Sequence, residues 1–369
     1  MRLAFVIPSL GTGGAERVAS LLCNWWAEQG HEVTVFTFDS PEADHAFFFS
    51  EGVSVRPIAA YNKRRSLASS IGTNIRRVYR LRVAFRQLKP DVIVAFMTEA
   101  NVPTLCASVG LGIPVVASER NQPGRPGLGA WRRIARRLSY PAAAALVMQT
   151  EDIAEWARRR FRVPVVVMPN PVSPALQVRR GADVKQRRII AIGRLVHQKG
   201  FDVLISSFAQ VAGSYPEWDL IIYGEGPERA ALEAQIRELS MTGRISLPGV
   251  LRDIRAAYMS AAIFVLPSRY EGYPNVLLEA LASGCAVVAT DCPGATAEIL
   301  QGGRLGVLVP APDVDDLAPA LAHLMSNEAQ RAAYSKAAVE AFAALDLPTV
   351  GRRWLDLFED LIGQKPSMG

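Results

Sequence analysis

Short apolar runs alternate with amphipathic stretches from one end of the chain to the other. Brief apolar runs bounded by Gly, Pro, Asp or Ser predict buried parallel strands, and stretches with apolar positions every three or four residues predict helices. In the first half the predicted strands are Leu3–Pro8, Val33–Phe38, Val53–Pro57, Val92–Ala95, Val115–Ser118, Ala144–Met148 and Val165–Met168. Helical patterns cover 14–29, 67–88, 100–110 and 150–160. The second half repeats the scheme with strands Arg188–Ile192, Leu220–Tyr223, Ile245–Leu247, Ile263–Pro267, Ala286–Thr290 and Gly306–Val309. Helices are expected over 314–326, 328–343 and 348–362. Such alternation places the chain in the α/β class with parallel sheets.

Pro169-Asn170-Pro171-Val172 closes the first series, and a polar stretch from Gln177 to Arg187 precedes the next strand. The expected organisation is a Rossmann-like domain over 1–171, a second over 187–345, and a last amphipathic helix within 346–369 that packs back on the first. Two such domains joined by one linker imply a ligand cleft between them.

Composition sharpens this picture in three ways. Half of the 369 residues are hydrophobic, so each domain can bury a core of its own. Residues 1–170 carry 22 basic against 13 acidic side chains, +9, while 171–369 carry 19 against 22, −3. A basic half joined to a mildly acidic one points to an anionic surface or substrate for the first domain. Cys23, Cys106, Cys285 and Cys292 show neither metal-ligand nor disulfide spacing and read as reduced thiols of a cytoplasmic protein. The opening MRLAFVIPSL reads as a first strand and not as a signal peptide. No stretch approaches ~18 uninterrupted apolar residues, so no membrane span is expected.

The chemistry concentrates between 263 and 290. The strand ending at Pro267 is followed by a turn at Gly272 and Pro274, and Asn275 is placed to cap a helix from Val276 to Gly284. Glu271 then sits on the loop before the helix, and Glu279 one turn inside it. Ligands of open parallel sheets bind beyond the carboxyl ends of the strands. Two acceptor-only carboxylates flanking a helix N-terminus suit a ligand that combines hydroxyls with phosphates, as a nucleotide sugar does. The segment Glu271-Gly272-Tyr273-Pro274-Asn275-Val276-Leu277-Leu278-Glu279 resembles the signature of the retaining glycosyltransferases of family 4, two glutamates separated by seven residues. The resemblance implies that Glu271 contacts the transferred sugar and that Glu279 takes the ribose hydroxyls. It also implies donor contacts from Gly272, Tyr273, Pro274, Asn275 and Val276.

A second segment strengthens the match. After the strand ending at Ile192, Gly193 turns the backbone, and Arg194 and Lys199 project before a helix that begins near Gly200. Two cations at the carboxyl end of a strand can clamp a diphosphate. Gly193-Arg194-Leu195 followed by Lys199-Gly200 resembles the family's second signature, whose Arg and Lys stabilise charge on the leaving nucleoside diphosphate. By the same resemblance, Gly13 and Gly14 of the Gly-Gly-Ala-Glu loop lie near the donor phosphates, and Gly249 and Val250 line the base pocket. A uridine diphosphate donor is the commonest choice in the family.

Two features depart from the pattern. Many members carry a histidine in the first domain near the reacting sugar, and none of His31, His45, His197 or His323 follows a first-domain strand at the cleft. Glu119 and Arg120 follow the strand Val115–Ser118, and one or the other is the replacement candidate for facing the sugar, with strand-end hydrogen bonding as the alternative role. Around them, the stretches at 96–101 and 119–121 resemble a subgroup that builds bacterial surface polysaccharides and lipid-linked oligosaccharides. Arginines also crowd the first domain: beyond Lys63, Arg64 and Arg65, the pairs Arg76/Arg80, Arg132/Arg136 and Arg133/Arg137 share helical faces. They offer a surface for anionic lipid or a pyrophosphate-linked acceptor. Nucleic acid is not expected, because no aromatic-interleaved basic motif accompanies them.

The resemblance implies the GT-B architecture and metal-independent, retaining transfer of a hexosyl or N-acetylhexosaminyl group. The donor is a nucleoside diphosphate sugar and the acceptor a glycan, plausibly lipid-linked, with no cofactor. There is no convincing Asp-x-Asp, since Asp313, Asp315 and Asp316 stand at a helix start where capping explains them. The enzyme is expected to be cytoplasmic and peripherally associated with the inner face of the cytoplasmic membrane. The same fold also serves UDP-sugar 2-epimerase-like enzymes and would serve a non-catalytic nucleotide-sugar-binding subunit.

Overall fold

The structure is a computed structural model that describes every residue except 12, 41, 43, 44, 59–66, 121–129, 177–184, 252, 311 and 364–369. Lys63, Arg64, Arg65 and most of the polar stretch after Gln177 therefore lie outside the described residues. The chain divides into two compact units, Met1–Pro171 with Leu347–Gly369, and Val172–Asp346.

The first unit runs β1 (Arg2–Ile7), α1 (Gly14–Glu28), β2 (Glu32–Thr37), β3 (Val53–Pro57), α2 (Leu67–Leu88), β4 (Val92–Phe96), α3 (Thr98–Ser108), β5 (Val115–Ser118), α4 (Ala130–Ser139), β6 (Ala145–Met148), α5 (Glu151–Arg158) and β7 (Val165–Val167). Its strands are parallel, in the order β3-β2-β1-β4-β5-β6-β7. Strands β4, β5 and β6 are buried at every position, as their unbroken apolar runs require when helices cover both faces. The strand order reverses between β1 and β4, which places the crevice of a doubly wound sheet at their carboxyl ends.

The second unit continues with β8 (Gln186–Ile192), α6 (Phe201–Ala212), β9 (Asp219–Tyr223), α7 (Arg229–Glu238), β10 (Ile245–Gly249), α8 (Ile254–Ser260), β11 (Ala261–Leu266), α9 (Asn275–Ala282), β12 (Ala286–Thr290), α10 (Thr296–Ile299), β13 (Val307–Val309), α11 (Val314–Ser326) and α12 (Glu328–Phe342). The parallel order is β10-β9-β8-β11-β12-β13, with its reversal between β8 and β11. Alternation along β11 shows how one apolar run serves two cores. Ile263 and Val265 enter a cluster with Phe208, Trp218 and Leu321, whereas Phe264 and Leu266 join Tyr258, Leu277 and Leu281 on the other face.

The last helix, α13 (Leu347–Gly363), belongs to the first unit. Trp354 and Phe358 pack edge-on against Trp26 at centroid separations of 6.2 and 5.4 Å, and Trp26 Nε1 donates to Gly351 O at 3.3 Å. Gly351 allows this approach, since a Cβ there would lie 2.4 Å from the Trp25 ring. Helix starts follow local chemistry. Thr150, Asp253 and Asp313 accept backbone N–H groups at the starts of α5, α8 and α11. Helix α9 departs from expectation: it begins at Asn275, with Pro274 in the cap position and no side-chain cap bond.

Candidate functional site

In the second unit, the reversal of strand order brings the loops after β8 and β11 side by side, although about 75 residues separate them in sequence. Gly193 follows β8, its N–H donating to Tyr223 O at 3.0 Å. Arg194 follows as an exposed side chain, while Leu195 is buried and anchors the loop. A single 3-10 turn, His197–Lys199, carries Lys199 to the β11 loop. There its ammonium lies 2.6 Å from Glu271 Oε1, with the lysine 18% and the glutamate 7% exposed. Ser268 Oγ donates to the same Oε1 at 2.5 Å, and Thr290 Oγ1 in turn donates to Ser268 O. Both donors reach Oε1, and a carboxylate oxygen has further lone pairs with which to accept a hydroxyl.

The two loops are also laced together. Arg269 N donates to Gln198 O, Gln198 Nε2 donates to Tyr270 O, and Arg269 Nη1 donates to His197 O. Arg269 further forms a two-pronged ion pair with Asp202 at 2.9 and 2.6 Å. That pair raises the Arg269 guanidinium above its ordinary value, and Asp202 lies below the usual carboxylate range although burial opposes the shift. Gly200 joins the turn to α6 at φ +66°, and a Cβ there would stand 2.0 Å from Pro267 O. The position of Lys199 against Glu271 is thus fixed by backbone.

Gly272, Tyr273 and Pro274 lead from Glu271 into α9, whose first residues are Asn275 and Val276. Glu271 N donates to Pro293 O, and Ala295 N donates to Gly272 O, so the loop after β12 holds this segment from behind. Glu279 is buried within α9, and Tyr258 OH donates to its Oε2 at 3.2 Å. Farther along the same sheet edge, Gly249 is buried at the end of β10 with its carbonyl accepting Gly224 N–H, and Val250 beside it is 73% exposed. Arg194, Lys199, Glu271, the α9 N-terminus, Gly249 and Val250 therefore line one sheet edge. The arrangement can hold an anion at Arg194 and the helix end, and hydroxyls at the two carboxylates.

Gly13, Gly14 and Glu119 belong to the other unit. Gly13 precedes α1, and the Glu16 carboxylate folds back over it to within 2.1 Å of where a Gly13 Cβ would stand. Burial pushes the Glu16 carboxyl up, opposed by hydrogen bonds from its own backbone and from Ser9. Sequence reasoning missed Glu16, because nothing local says that its side chain turns back on the loop.

Glu119 requires a correction. Its carboxylate is 1% exposed and turned inward, accepting Thr98 Oγ1 at 2.5 Å and the Tyr140 hydroxyl. Burial raises both the Glu119 carboxyl and the Tyr140 phenol, and for Glu119 the hydrogen bonds from Thr98 and Tyr140, then the Arg136 charge, partly offset it. Glu119 therefore ties strand ends together and presents no face to a sugar. Arg120 beside it stacks 3.7 Å over Phe96 and bonds Asn170. The structure instead exposes a feature invisible in sequence: Met97, after β4, adopts φ +73° and ψ 147°, a region that disfavours any side chain.

The arginine faces also differ from expectation. Arg136 is buried over the Trp156 ring at 4.7 Å, Arg132 pairs with Glu99 at 2.9 Å, and Arg80 donates to Ile58 O. Only Arg76, Arg133 and Arg137 of the three pairs are exposed. Among the described residues, no helix is long and apolar enough to cross a membrane, and no group of three His, Cys, Asp or Glu is placed to hold a metal.

Known proteins resemble this chain in sequence and in fold. Residues 13–171 match a family described as glycosyl transferase 4-like domain, and 186–327 match glycosyl transferases group 1. A Campylobacter jejuni protein named GalNAc-alpha-(1->4)-GalNAc-alpha-(1->3)-diNAcBac-PP-undecaprenol alpha-1,4-N-acetyl-D-galactosaminyltransferase is 26% identical over 98% of this chain and 99% of its own. The lipopolysaccharide core biosynthesis mannosyltransferase LpsB of Rhizobium meliloti is 33% identical over 42% of this chain and 46% of its own. Among solved structures, sucrose-phosphate synthase from Thermosynechococcus elongatus superposes with a TM-score of 0.83 at 17% identity, over 98% of this chain and all of its own. Anabaena HepE in complex with UDP gives 0.78 at 20% identity, again over 98% and 100%. These structural likenesses establish the GT-B fold, and the two family matches together span most of the sequence. The chain belongs to the family 4 glycosyltransferases.

Proposed function

We propose that this glycosyltransferase moves a hexosyl or N-acetylhexosaminyl group from a UDP-sugar to a lipid-linked glycan, with retention of anomeric configuration and without a metal ion. The observation that carries the reading is the Lys199–Glu271 pair beside the α9 N-terminus. Pairing makes the sugar-facing carboxylate nearly neutral as a unit, so it does not repel the donor's diphosphate. The Glu271 carboxylate then accepts a hydroxyl of the transferred sugar. As the glycosidic bond breaks, charge grows on the leaving phosphate oxygen, where Arg194, the remaining Lys199 protons and the first N–H groups of α9 meet it. Glu279, oriented by Tyr258, takes the ribose hydroxyls, and Gly249 with Val250 borders the base.

The choice of UDP is supported by HepE, described in complex with UDP. The choice of acceptor is supported by the Campylobacter relatives, both named for acceptors on undecaprenol diphosphate. Such an acceptor places the enzyme peripherally on the cytoplasmic face of a membrane. Incubation with a panel of nucleotide sugars, with and without lipid-linked acceptor, tests the reading. Expected is acceptor-dependent UDP release and an α-linked product by NMR from an α-linked donor. Acceptor-independent conversion of the sugar nucleotide would show an epimerase, and binding without turnover a non-catalytic subunit.

A further inference from the structure

Helix α4 is built inside out. A surface helix normally turns its apolar stripe to the core and its charges to water. In α4, Trp131, Ile134 and Leu138 recur at one face and are 52%, 59% and 77% exposed. The opposite face is the buried one, and it carries Arg136 and Ser139. Arg136 is held there by the Trp156 ring and by the charge of Glu119, which fixes the face that α4 turns inward. Arg133 and Arg137, one turn apart, edge the outward stripe and are exposed. A second apolar pair, Ile75 and Tyr79 at 65% and 68% exposed, stands on α2, which packs on α3 as α4 does.

We infer that α4 is an interfacial helix that seats Trp131, Ile134 and Leu138 in the headgroup region of an anionic bilayer. This rests on the reading of a lipid-borne acceptor and adds the surface and its mode of attachment. A short helix with an apolar stripe and basic flanks lies in the plane of a membrane interface, and tryptophan favours the headgroup level. An anionic leaflet also supplies countercharge to Arg133 and Arg137, for which no ion pair forms among the described residues. A second copy of the chain fits less well. Antiparallel twofold pairing along the stripe would set the arginine edge of one helix against that of the other.

Vesicles of phosphatidylglycerol and of phosphatidylcholine, each also prepared with brominated acyl chains, provide the test. Wild-type protein should sediment with the anionic vesicles, keep part of its binding in high salt, and show tryptophan quenching by bromolipid. Trp131→Phe should bind but lose that quenching. Ile134→Ser with Leu138→Ser should lose binding by about a hundredfold, near tenfold for each side chain withdrawn from the interface. Circular dichroism and thermal unfolding establish that the double variant is folded, and its turnover on a water-soluble acceptor should match wild type. Binding abolished entirely by salt, or unchanged in the double variant, overturns the inference. So does a vesicle-free dimer that the double variant dissolves. Normal turnover on soluble acceptor without vesicle binding overturns the docking surface alone, whereas absence of turnover on any acceptor overturns the reading beneath it.

Discussion

Lys199→Met keeps most of the side-chain stem and removes the ammonium. In the folded protein that ammonium lies 2.6 Å from Glu271 Oε1, in a site that water reaches mainly from the lysine side. With an effective dielectric constant of about 20, the gross attraction is roughly 6 kcal/mol, most of it offset by the desolvation of both ions. Breaking a fully buried pair costs about 3–5 kcal/mol because one charge is stranded. Here Ser268 still donates to the stranded carboxylate and the lysine side is partly wet, so a loss of about 2 kcal/mol is expected. Turnover should fall further, by roughly 10²–10³, because the same ammonium meets the leaving diphosphate. Urea denaturation gives the first quantity and steady-state UDP release the second. Adding Glu271→Gln should restore stability, since the stranded charge is gone, but not activity. Arg194→Ala is the contrasting control, with turnover lost and stability kept, as befits an exposed side chain. A Lys199→Met protein of wild-type stability that turns over within a few-fold of normal would refute the argument, as would a double variant whose stability losses simply add.

The two glutamates should separate in calorimetric titration with UDP. Glu279→Ala weakens binding by about ten- to a hundredfold, as loss of charge-assisted ribose bonds implies, and Glu271→Ala leaves it nearly unchanged while stopping transfer; the reverse order defeats the assignment. Glu119 sets a pH dependence. Burial raises its folded-state pKa, so its stabilising contribution is full below the unfolded value and is lost as pH rises through the folded one. The stability gap between wild type and Glu119→Gln, followed by urea midpoints, should move against wild type as pH rises, and a shift in the other direction shows the carboxylate is stabilised when charged. Turnover is expected to survive EDTA; complete loss restored by Mg²⁺ or Mn²⁺ would reveal a metal requirement.

The strands were legible because strands covered on both faces are written as unbroken apolar runs. Val92–Ala95 and Val115–Ser118 fall on β4 and β5 with at most one residue of difference. Helix ends were less so: α3 begins at Thr98, two residues before its pattern, because an unusual Met97 backbone starts it. At the site, the residue types and their loops could be read, but not the 72-residue pairing of Lys199 with Glu271, which only strand order decides. The arginines misled for a related reason. Spacing in α4 puts Arg132 with Arg136 on one face but cannot say which face is inward, and here Glu119 and Trp156 draw Arg136 into the interior. Glu119 itself stood at the expected strand end, and only the position of the Tyr140 hydroxyl shows that its carboxylate looks inward.

The placement of α13 has a consequence for how the protein is made. Trp26 and Gly351 bond across 325 residues of chain, so the aromatic cluster of the first unit is closed by a helix translated only after the whole second unit. At ribosomal speeds of about 5–20 residues per second, the first sheet emerges and then waits roughly 10–40 s for its final layer. During that interval Trp25, Trp26 and Phe96 lack the helix that covers them. The second unit has no such debt to later sequence, being continuous from Val172 to Asp346. The order of synthesis and the order of completion are therefore opposite, and a ribosome stalled or terminated before Leu347 releases an incomplete amino-terminal unit. Chaperone demand during expression, and intolerance of carboxyl-terminal truncation, follow from the position of one helix.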